Sequence, residues 1–74
     1  MKLEQGVFMA GYTFRIVEKV LLANGFRCVR IKGSHHQYKK SGYKGTVTVP
    51  CHNGDISAGV LKSIERQTSL IIAA

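Results

Sequence analysis

A Gly-Ser dipeptide separates two strand-like segments near the middle of the chain, and it limits the possible folds more than any other feature. The segment FRCVRIK ends at Lys32, Gly33 and Ser34 follow, and HHQYKK begins at His35. Glycine readily adopts the positive φ angles that two-residue hairpin turns require. We therefore predict two antiparallel strands joined by a tight turn.

Cationic and apolar residues are mixed in the first of these strands. Successive side chains of a strand point to opposite faces of a sheet. Strict alternation therefore predicts two faces, one with Arg27, Val29 and Ile31 and the other with Cys28, Arg30 and Lys32.

A third strand-like segment follows the hairpin. Thr and Val alternate in TVTVP, residues 46–50, which is typical of a strand with one buried face. Pro50 ends this strand because proline has no N–H to donate to a sheet. The glycines of SGYKG, residues 41–45, supply the connecting loop. Three consecutive strands on short connections favour an antiparallel three-stranded sheet.

Two segments with helical spacing flank the strands. In TFRIVEKVLLANGF, Thr13 is the predicted N-cap and Asn24-Gly25 the stop signal. Its apolar stripe consists of Ile16, Val17, Val20, Leu21 and Leu22. In ISAGVLKSIERQTSL, residues 56–70, Ser57 is the predicted cap. The residues expected to face inward are Val60, Leu61 and Ile64, with Leu70 as a further candidate. Gly59 lowers helix propensity, and one explanation is that a Cβ there would meet the sheet or a ligand.

The predicted order is therefore helix, three strands, helix. Two amphipathic helices on one face of an antiparallel sheet form a two-layer α+β sandwich of order α-β-β-β-α. The other sheet face is then open to solvent or to a partner. We assign residues 1–12 to an irregular N-terminal extension, 13–70 to one domain and 71–74 to a C-terminal tail.

The charge distribution suggests a polyanionic partner. Eleven Lys and Arg residues face four Asp and Glu residues, for a formal net charge of +7. No acidic residue occurs between Glu18 and Asp55. That interval contains Lys19, Arg27, Arg30, Lys32, Lys39, Lys40 and Lys44. The alternative is a cationic surface that only keeps the protein in solution.

The sequence gives no sign of export or of membrane insertion. The first residues, MKLEQGVFMAGY, lack the apolar core of a signal peptide, and no apolar run approaches the roughly 20 residues of a membrane span. Two cysteines, Cys28 and Cys51, are too few for a disulfide scaffold. We expect a protein with free thiols in a reducing cytoplasm, without a membrane partner.

The adjacent histidines of HHQYKK point to opposite faces if this segment is a strand. Tyr38 is the large aromatic residue of the segment, so the face with His36 and Tyr38 is expected to meet the helices. His35 then faces outward with Lys39. An imidazole takes up or releases a proton near neutral pH, and RNA carries its own nucleophile in the 2′-hydroxyl. Outward His35 is therefore a candidate catalytic residue, and a solvated strand histidine is the alternative.

Cations near His35 are candidates for holding a phosphate, and metal ligation is not expected. Arg30, Lys32, Lys39 and Lys40 are the predicted phosphate contacts, and Gly33 would let an RNA backbone approach the main chain. Cys28, Cys51 and the three histidines lack the C-x₂-C or H-x₃-H spacing of a zinc site. We predict no metal site and no cofactor.

The chain from about Thr13 to Leu70 resembles the HicA (YcfA-like) family of bacterial and archaeal toxins. The matching stretches are VEKVLLANGF, VRIKGSHHQYKK, TVTVP followed by HN and DI, and GVLKSIERQ, in the same order and spacing. The resemblance implies a small fold like that of double-stranded-RNA-binding domains, in agreement with the pattern of helices and strands. It covers roughly four fifths of the chain.

The resemblance also implies a function. Members of this family are toxins of type II toxin-antitoxin systems, which cleave mRNA without a metal and so arrest translation and growth in the cytoplasm. The family's catalytic histidine falls on His35, and its supporting turn falls on Gly33 and Ser34; His36 matches the pattern without an implied catalytic role. The implied partner is a HicB-type antitoxin that binds the toxin and masks its active site.

Two other functions are compatible with the same residues. The basic domain would also suit a module that binds RNA without cutting it, because fold alone does not determine activity. It would equally suit a protein-interaction domain whose open sheet face pairs with a partner. Cleavage of RNA separates these alternatives from the ribonuclease.

Overall fold

The order of secondary-structure elements in the computed structural model is the predicted α-β-β-β-α. The structure describes residues 11–73, so the expectations for residues 1–10 and Ala74 lie outside the described residues. The elements are α1 (Phe14–Ala23), β1 (Arg27–Lys32), β2 (His35–Lys39), β3 (Val47–Pro50) and α2 (Ala58–Thr68). The three strands form one antiparallel sheet in the order β1-β2-β3. The predicted two-layer α+β fold is confirmed.

The β1–β2 hairpin has the predicted two-residue turn. Lys32 pairs with His35, so only Gly33 and Ser34 lie in the turn. Gly33 has a φ of 60°, whereas Ser34 is not among the residues with positive φ. This combination corresponds to a type II′ turn, whose twist matches that of the flanking strands. Glycine at position 33 therefore fixes the point at which His35 begins the second strand.

Both helices begin at the predicted caps, and α1 also ends where the sequence predicts. The Thr13 Oγ accepts a hydrogen bond from the N–H of Ile16, and the Ser57 Oγ accepts one from the N–H of Val60. Such side-chain acceptors satisfy N–H groups that have no partner within the first helical turn. Helix α1 ends at Asn24, and Gly25 follows with a φ of 90°. Neither helix within residues 11–73 is long and apolar enough to cross a membrane.

The hydrophobic core lies between the two helices and strands β2 and β3. Tyr38 is fully buried at its centre, and the other buried residues are Val17, Leu21, Phe26, Val47, Val49, Ile56, Leu61, Ile64 and Ile72. The apolar stripe of α1 is only partly covered, since Ile16 and Leu22 remain 41% and 49% exposed. The expectation that Val60 of α2 faces inward is wrong, since Val60 is 37% exposed, and part of the α1 stripe also lies outside the core. A three-stranded sheet in a chain this short is too narrow to cover it.

The C-terminal segment is attached to the core. Ile72 is buried, and one carboxylate oxygen of Glu65 accepts hydrogen bonds from the N–H groups of Ile72 and Ala73. These bonds stabilise the ionised carboxylate, so they hold the pKa of Glu65 below its usual value. On the other side of the domain, the Tyr12 carbonyl accepts from the N–H of Ile56, which ties the start of the described chain to the loop before α2.

Gly59 does not keep a Cβ away from the sheet, which was one of the two roles suggested from the sequence. A Cβ at this position would have no heavy atom of another element within 4 Å. Glycine is therefore not needed here to prevent a steric clash. We expect Gly59→Ala to stabilise the protein by about 0.5–1 kcal/mol, because alanine loses less backbone entropy in a helix. Chemical denaturation followed by circular dichroism would measure this change.

The same substitution at Gly33 is the matched control. The Cβ would again meet no neighbour, but the φ of 60° is strained for alanine. We expect Gly33→Ala to destabilise the protein by about 1–2 kcal/mol. Equal effects of the two substitutions would contradict the assignment of a left-handed turn at Gly33 and an ordinary helical position at Gly59.

Candidate nucleic-acid interface

The sheet face opposite the helices is open and strongly cationic. Because Tyr38 is buried under the helices, the alternate residues of β2 and their cross-strand partners face the other way. We call this surface the basic face; its charged and titratable residues are Arg27, Arg30, Lys32, His35 and Lys39. All five are exposed.

A β-bulge brings Arg27 onto the basic face. Cys28 pairs with Tyr38 and Arg30 pairs with Gln37, so Val29 between them is an extra residue in β1. Such an insertion resets the alternation of side chains. The sequence-based prediction that Arg27 shares a face with Val29 and Ile31, opposite Arg30 and Lys32, is therefore wrong. All three cations of β1 lie on one side.

Like charges face each other across the β1–β2 ladder. Arg27 is directly opposite Lys39, and like-charged pairs at such positions destabilise a sheet. The carboxylates of the described residues do not relieve this repulsion, because each is engaged elsewhere. Asp55 accepts from the N–H of Gly11, Glu18 from the hydroxyl of Tyr38, and Glu65 from the C-terminal segment. Uncompensated positive charge of this kind attracts polyanions.

The two adjacent histidines have different surroundings. His35 is exposed on the basic face beside Lys32, directly after the turn. His36 is half-buried on the opposite face, where its ring makes an edge-to-face contact with Phe14, with ring centroids 4.7 Å apart. The predicted opposite orientation of the two histidines is confirmed. His35 is the one positioned to meet a ligand on the basic face.

Lys40 lies apart from the other predicted phosphate contacts. Its ammonium group donates a hydrogen bond to the carbonyl of Asn24 at 3.2 Å and lies 5.0 Å from the centre of the Phe26 ring. A cation at this position provides a hydrogen-bond donor for a free backbone carbonyl at the C-terminal end of α1. Lys40 therefore supports the helix end, and the predicted phosphate contacts that lie on the basic face are Arg30, Lys32 and Lys39.

The turn that carries His35 is joined to the loop after β3. The carbonyl of Ser34 accepts a hydrogen bond from the N–H of Cys51 at 2.6 Å, and His35 pairs with Pro50 across the β2–β3 ladder. Residues 51–54 therefore lie at the same end of the sheet as His35. This juxtaposition results from the strand register, so it is not visible in the sequence without knowledge of that register.

An open cleft of about 820 Å³ lies beside this end of the sheet, on the side of the helices. Its walls are the loop from Cys51 to Gly54 on one side and, on the other, Thr13 with the α1 residues Phe14, Arg15 and Glu18. Sequence reasoning did not select these residues, except that Cys51 and His52 were considered as metal ligands. Within residues 11–73 no three His, Cys, Asp or Glu side chains come close enough to hold a metal ion, and both cysteines are free thiols.

A hydrogen bond between Glu18 and Tyr38 connects the cleft to the core. The buried Tyr38 hydroxyl donates to a carboxylate oxygen of Glu18 at 2.5 Å. Burial raises the pKa of Tyr38 far above its ordinary value of 10.0, and the neighbouring Glu18 raises it further. The phenol therefore remains protonated and keeps Glu18 at the cleft wall.

Comparison with protein families provides the remaining observation. A family model described as the HicA toxin of bacterial toxin-antitoxin systems matches residues 14–70. The chain belongs to the HicA toxin family. The match extends from the first residue of α1 to just beyond α2, so it includes all five elements of the HicA domain and the basic face. Membership implies a cognate antitoxin as partner. A search of curated proteins found no match.

We expect Tyr38→Phe to destabilise the protein by about 1–2 kcal/mol at neutral pH, because the hydrogen bond to Glu18 is lost. The raised pKa of Tyr38 adds a pH dependence. Its contribution to stability is fully present below pH 10.0, the ordinary tyrosine value, and is lost as the pH rises further, because the unfolded chain ionises first. Urea unfolding between pH 8 and 11 would measure both effects.

Tyr43→Phe is the control for this experiment. The Tyr43 hydroxyl donates to the backbone carbonyl of Gln67 at 3.2 Å, and the residue is only half-buried. We expect the alkaline loss of stability to persist in Tyr43→Phe and to become shallower in Tyr38→Phe. The same alkaline slope in both variants would contradict the role of the buried phenol.

Proposed function

We propose that this HicA-family chain is an endoribonuclease toxin that cleaves mRNA, with His35 as the residue that transfers a proton in the reaction. The observation that carries the proposal is the placement of exposed His35 beside Lys32 at the end of the basic face, in a chain of this toxin family. The substrate, mRNA, places its action in the cytoplasm.

The proposed chemistry uses the RNA's own nucleophile. The 2′-hydroxyl oxygen attacks the adjacent phosphorus, a new O–P bond forms, and the bond from phosphorus to the 5′-oxygen of the next nucleotide breaks. An imidazole either removes the proton of the 2′-hydroxyl or donates one to the leaving 5′-oxygen. His35 makes one of these transfers, and solvent water makes the other. This scheme needs no metal ion and no cofactor.

The cations of the basic face would assist in two ways. Arg30 and Lys32 lie on the strand next to His35 and can stabilise the negative charge that builds up on the phosphate oxygens. Arg27 and Lys39 lie at the other end of the same face, where they would attract the RNA backbone irrespective of sequence. The Gly33-Ser34 turn is exposed and would let the backbone of RNA approach closely.

The same surface is the proposed docking site of the antitoxin. A HicB-type partner with carboxylates on its surface would neutralise the like charges of the basic face and cover His35. Binding of antitoxin and RNA would then be mutually exclusive. In this arrangement the free toxin cleaves RNA, and the complex with the antitoxin has no ribonuclease activity.

We expect His35→Ala to lower the rate of RNA cleavage by about 10²- to 10⁴-fold without loss of fold, because one proton-transfer group is removed. The neighbouring His36→Ala is the matched control; it removes the ring that packs on Phe14 and should keep most of the activity. Single-stranded RNA incubated with each purified variant, with and without EDTA, provides the measurement. Cleavage by His35→Ala at the wild-type rate would refute the role of His35, and loss of wild-type cleavage in EDTA would refute metal independence.

We expect Lys32→Gln to weaken RNA binding. The control is Lys62→Gln, at an exposed position of α2, which should leave RNA binding nearly unchanged. Each variant loses one positive charge, so only the position of that charge differs. Loss of one phosphate contact should reduce the slope of log K against log salt by roughly 0.7 for a single strand. Fluorescence anisotropy at several salt concentrations measures this slope. Equal slopes for the two variants would mean that binding responds to net charge and not to the basic face.

RNA that is bound but stays intact in the presence of wild-type protein would favour the alternative, a non-catalytic RNA-binding module of the same fold. Induced expression in bacteria adds the cellular test. Growth arrest with loss of mRNA by the wild type, and neither effect with His35→Ala, would support the ribonuclease.

A further inference from the structure

The cleft next to the end of the sheet has a composition that the proposed cleavage chemistry does not use. Phe14 contributes an aromatic ring to its wall, Arg15 a guanidinium, Glu18 a carboxylate and His52 an imidazole. A combination of an aromatic surface with a few directed polar groups is typical of a site for a planar, polar ligand. In RNA, the planar and polar part is an unpaired base, which proteins stack on aromatic rings and read at its Watson–Crick edge.

Two of the polar groups in the cleft are hydrogen-bond acceptors. A carboxylate has about four acceptor sites, and the hydroxyl of Tyr38 occupies one of those of Glu18. His52 Nδ1 lies 2.8 Å from the carbonyl oxygen of Asn53, which can only accept, so Nδ1 carries a proton. In the neutral imidazole this leaves Nε2 as an acceptor. Glu18, and His52 in its neutral form, therefore accept from N–H donors of a ligand, whereas Arg15 supplies donors.

Guanine matches this set of groups best among the four RNA bases. Its Watson–Crick edge presents two adjacent donors, N1–H and N2–H₂, beside the acceptor O6. Adenine and cytosine each present one amino group next to an acceptor nitrogen, and uracil presents a single N–H between two carbonyls. Two acceptors and one cation on the wall therefore favour guanine.

The position of the cleft relates it to His35. His35 and Pro50 are cross-strand neighbours, and His52 is two residues after Pro50, so the Cα atoms of His35 and His52 lie within about 12 Å of each other. His35 is on the basic face, while the cleft is on the helix side. A single RNA strand that passes over the end of the sheet would place its backbone at His35 and a neighbouring base in the cleft.

We propose that this cleft is a base-recognition subsite, in which Glu18 and His52 bind an unpaired guanine of the RNA strand next to the phosphate at His35. The inference rests on the proposed ribonuclease function and adds sequence preference to it. Glu18 is the specificity-determining residue, and Tyr38 is a positioning residue that acts through Glu18.

Glu18→Gln is the variant that tests the subsite. Glutamine keeps an oxygen that can accept from the Tyr38 hydroxyl, but it replaces the second acceptor with an amide donor. Glu65→Gln is the matched control, because it makes the same chemical change on α2, where Glu65 holds the C-terminal segment. Thermal unfolding of each variant confirms that it is folded.

His52→Gln is the second test variant. The ring of His52 is exposed, and among the described residues it bonds only to the adjacent Asn53 carbonyl.

The first readout is the sequence preference of cleavage. A pool of single-stranded RNAs with random sequence is cut by each variant, and the product ends are sequenced. We expect the wild type to enrich guanine at one fixed position next to the cut. Glu18→Gln should reduce that enrichment by roughly five- to 100-fold, the value of one lost base contact, while the pool is still cleaved. Glu65→Gln should keep the wild-type preference. An unchanged preference in Glu18→Gln would overturn the proposal.

The second readout separates the subsite from the catalytic proposal. Single-stranded 2′-O-methyl oligonucleotides with either guanine or uracil at the centre cannot be cleaved through a 2′-hydroxyl, and their binding is measured by fluorescence anisotropy. If the wild type cleaves no RNA, the ribonuclease proposal fails. The subsite is still supported in that case if the wild type prefers the guanine oligonucleotide and if Glu18→Gln and His52→Gln abolish this preference. Equal binding of the two oligonucleotides by the wild type would overturn it.

Discussion

The register of the β1–β2 hairpin is the constraint on which the rest of the molecule depends. A slip of one residue in strand register exchanges the two faces of that strand. The two-residue turn at Gly33 and Ser34 sets the register, because it makes Lys32 pair with His35. This pairing directs Tyr38 into the core and His35 to the open face. The bulge at Val29 then brings Arg27 to the same side as Arg30 and Lys32. Core, catalytic candidate and basic face are therefore consequences of one turn and one inserted residue.

The positive charge of the basic face is not neutralised within the described part of the domain. Arg27 opposes Lys39, and the described carboxylates bind hydroxyl or N–H groups of the fold and do not neutralise the basic face. Repulsion of this kind lowers the stability of the isolated domain. A polyanion or an acidic partner relieves the repulsion on binding. Under the proposed function, RNA and the antitoxin compete for this same surface.

Tyr38 links the inside of the domain to its surface. The ring fills the centre of the core, and its hydroxyl holds Glu18 at the wall of the cleft. A residue of the core thus sets the position of Glu18, the group that we propose recognises a base. The hydrogen bond from Cys51 to Ser34 couples the same cleft to the turn before His35.

The sequence by itself determined the elements and their limits. Thr13 and Ser57 as caps, Gly25 as a stop, Gly33-Ser34 as a turn and the Thr-Val alternation of β3 are local signals, because each depends on neighbours within a few residues. The opposite orientation of His35 and His36 followed from the same local rule, and the matched stretches already indicated the toxin family.

Only the tertiary structure decided which residues share a surface. The bulge that moves Arg27, the use of Lys40 at the end of α1 and the exposure of Ile16 depend on how strands pair and how much of a helix a narrow sheet can cover. The cleft is the clearest case, since Phe14 and Glu18 of α1 are distant in sequence from His52 and line the same cleft with it only in the folded domain. Local propensities set the backbone of each segment, whereas contacts between segments exist only after the core has formed.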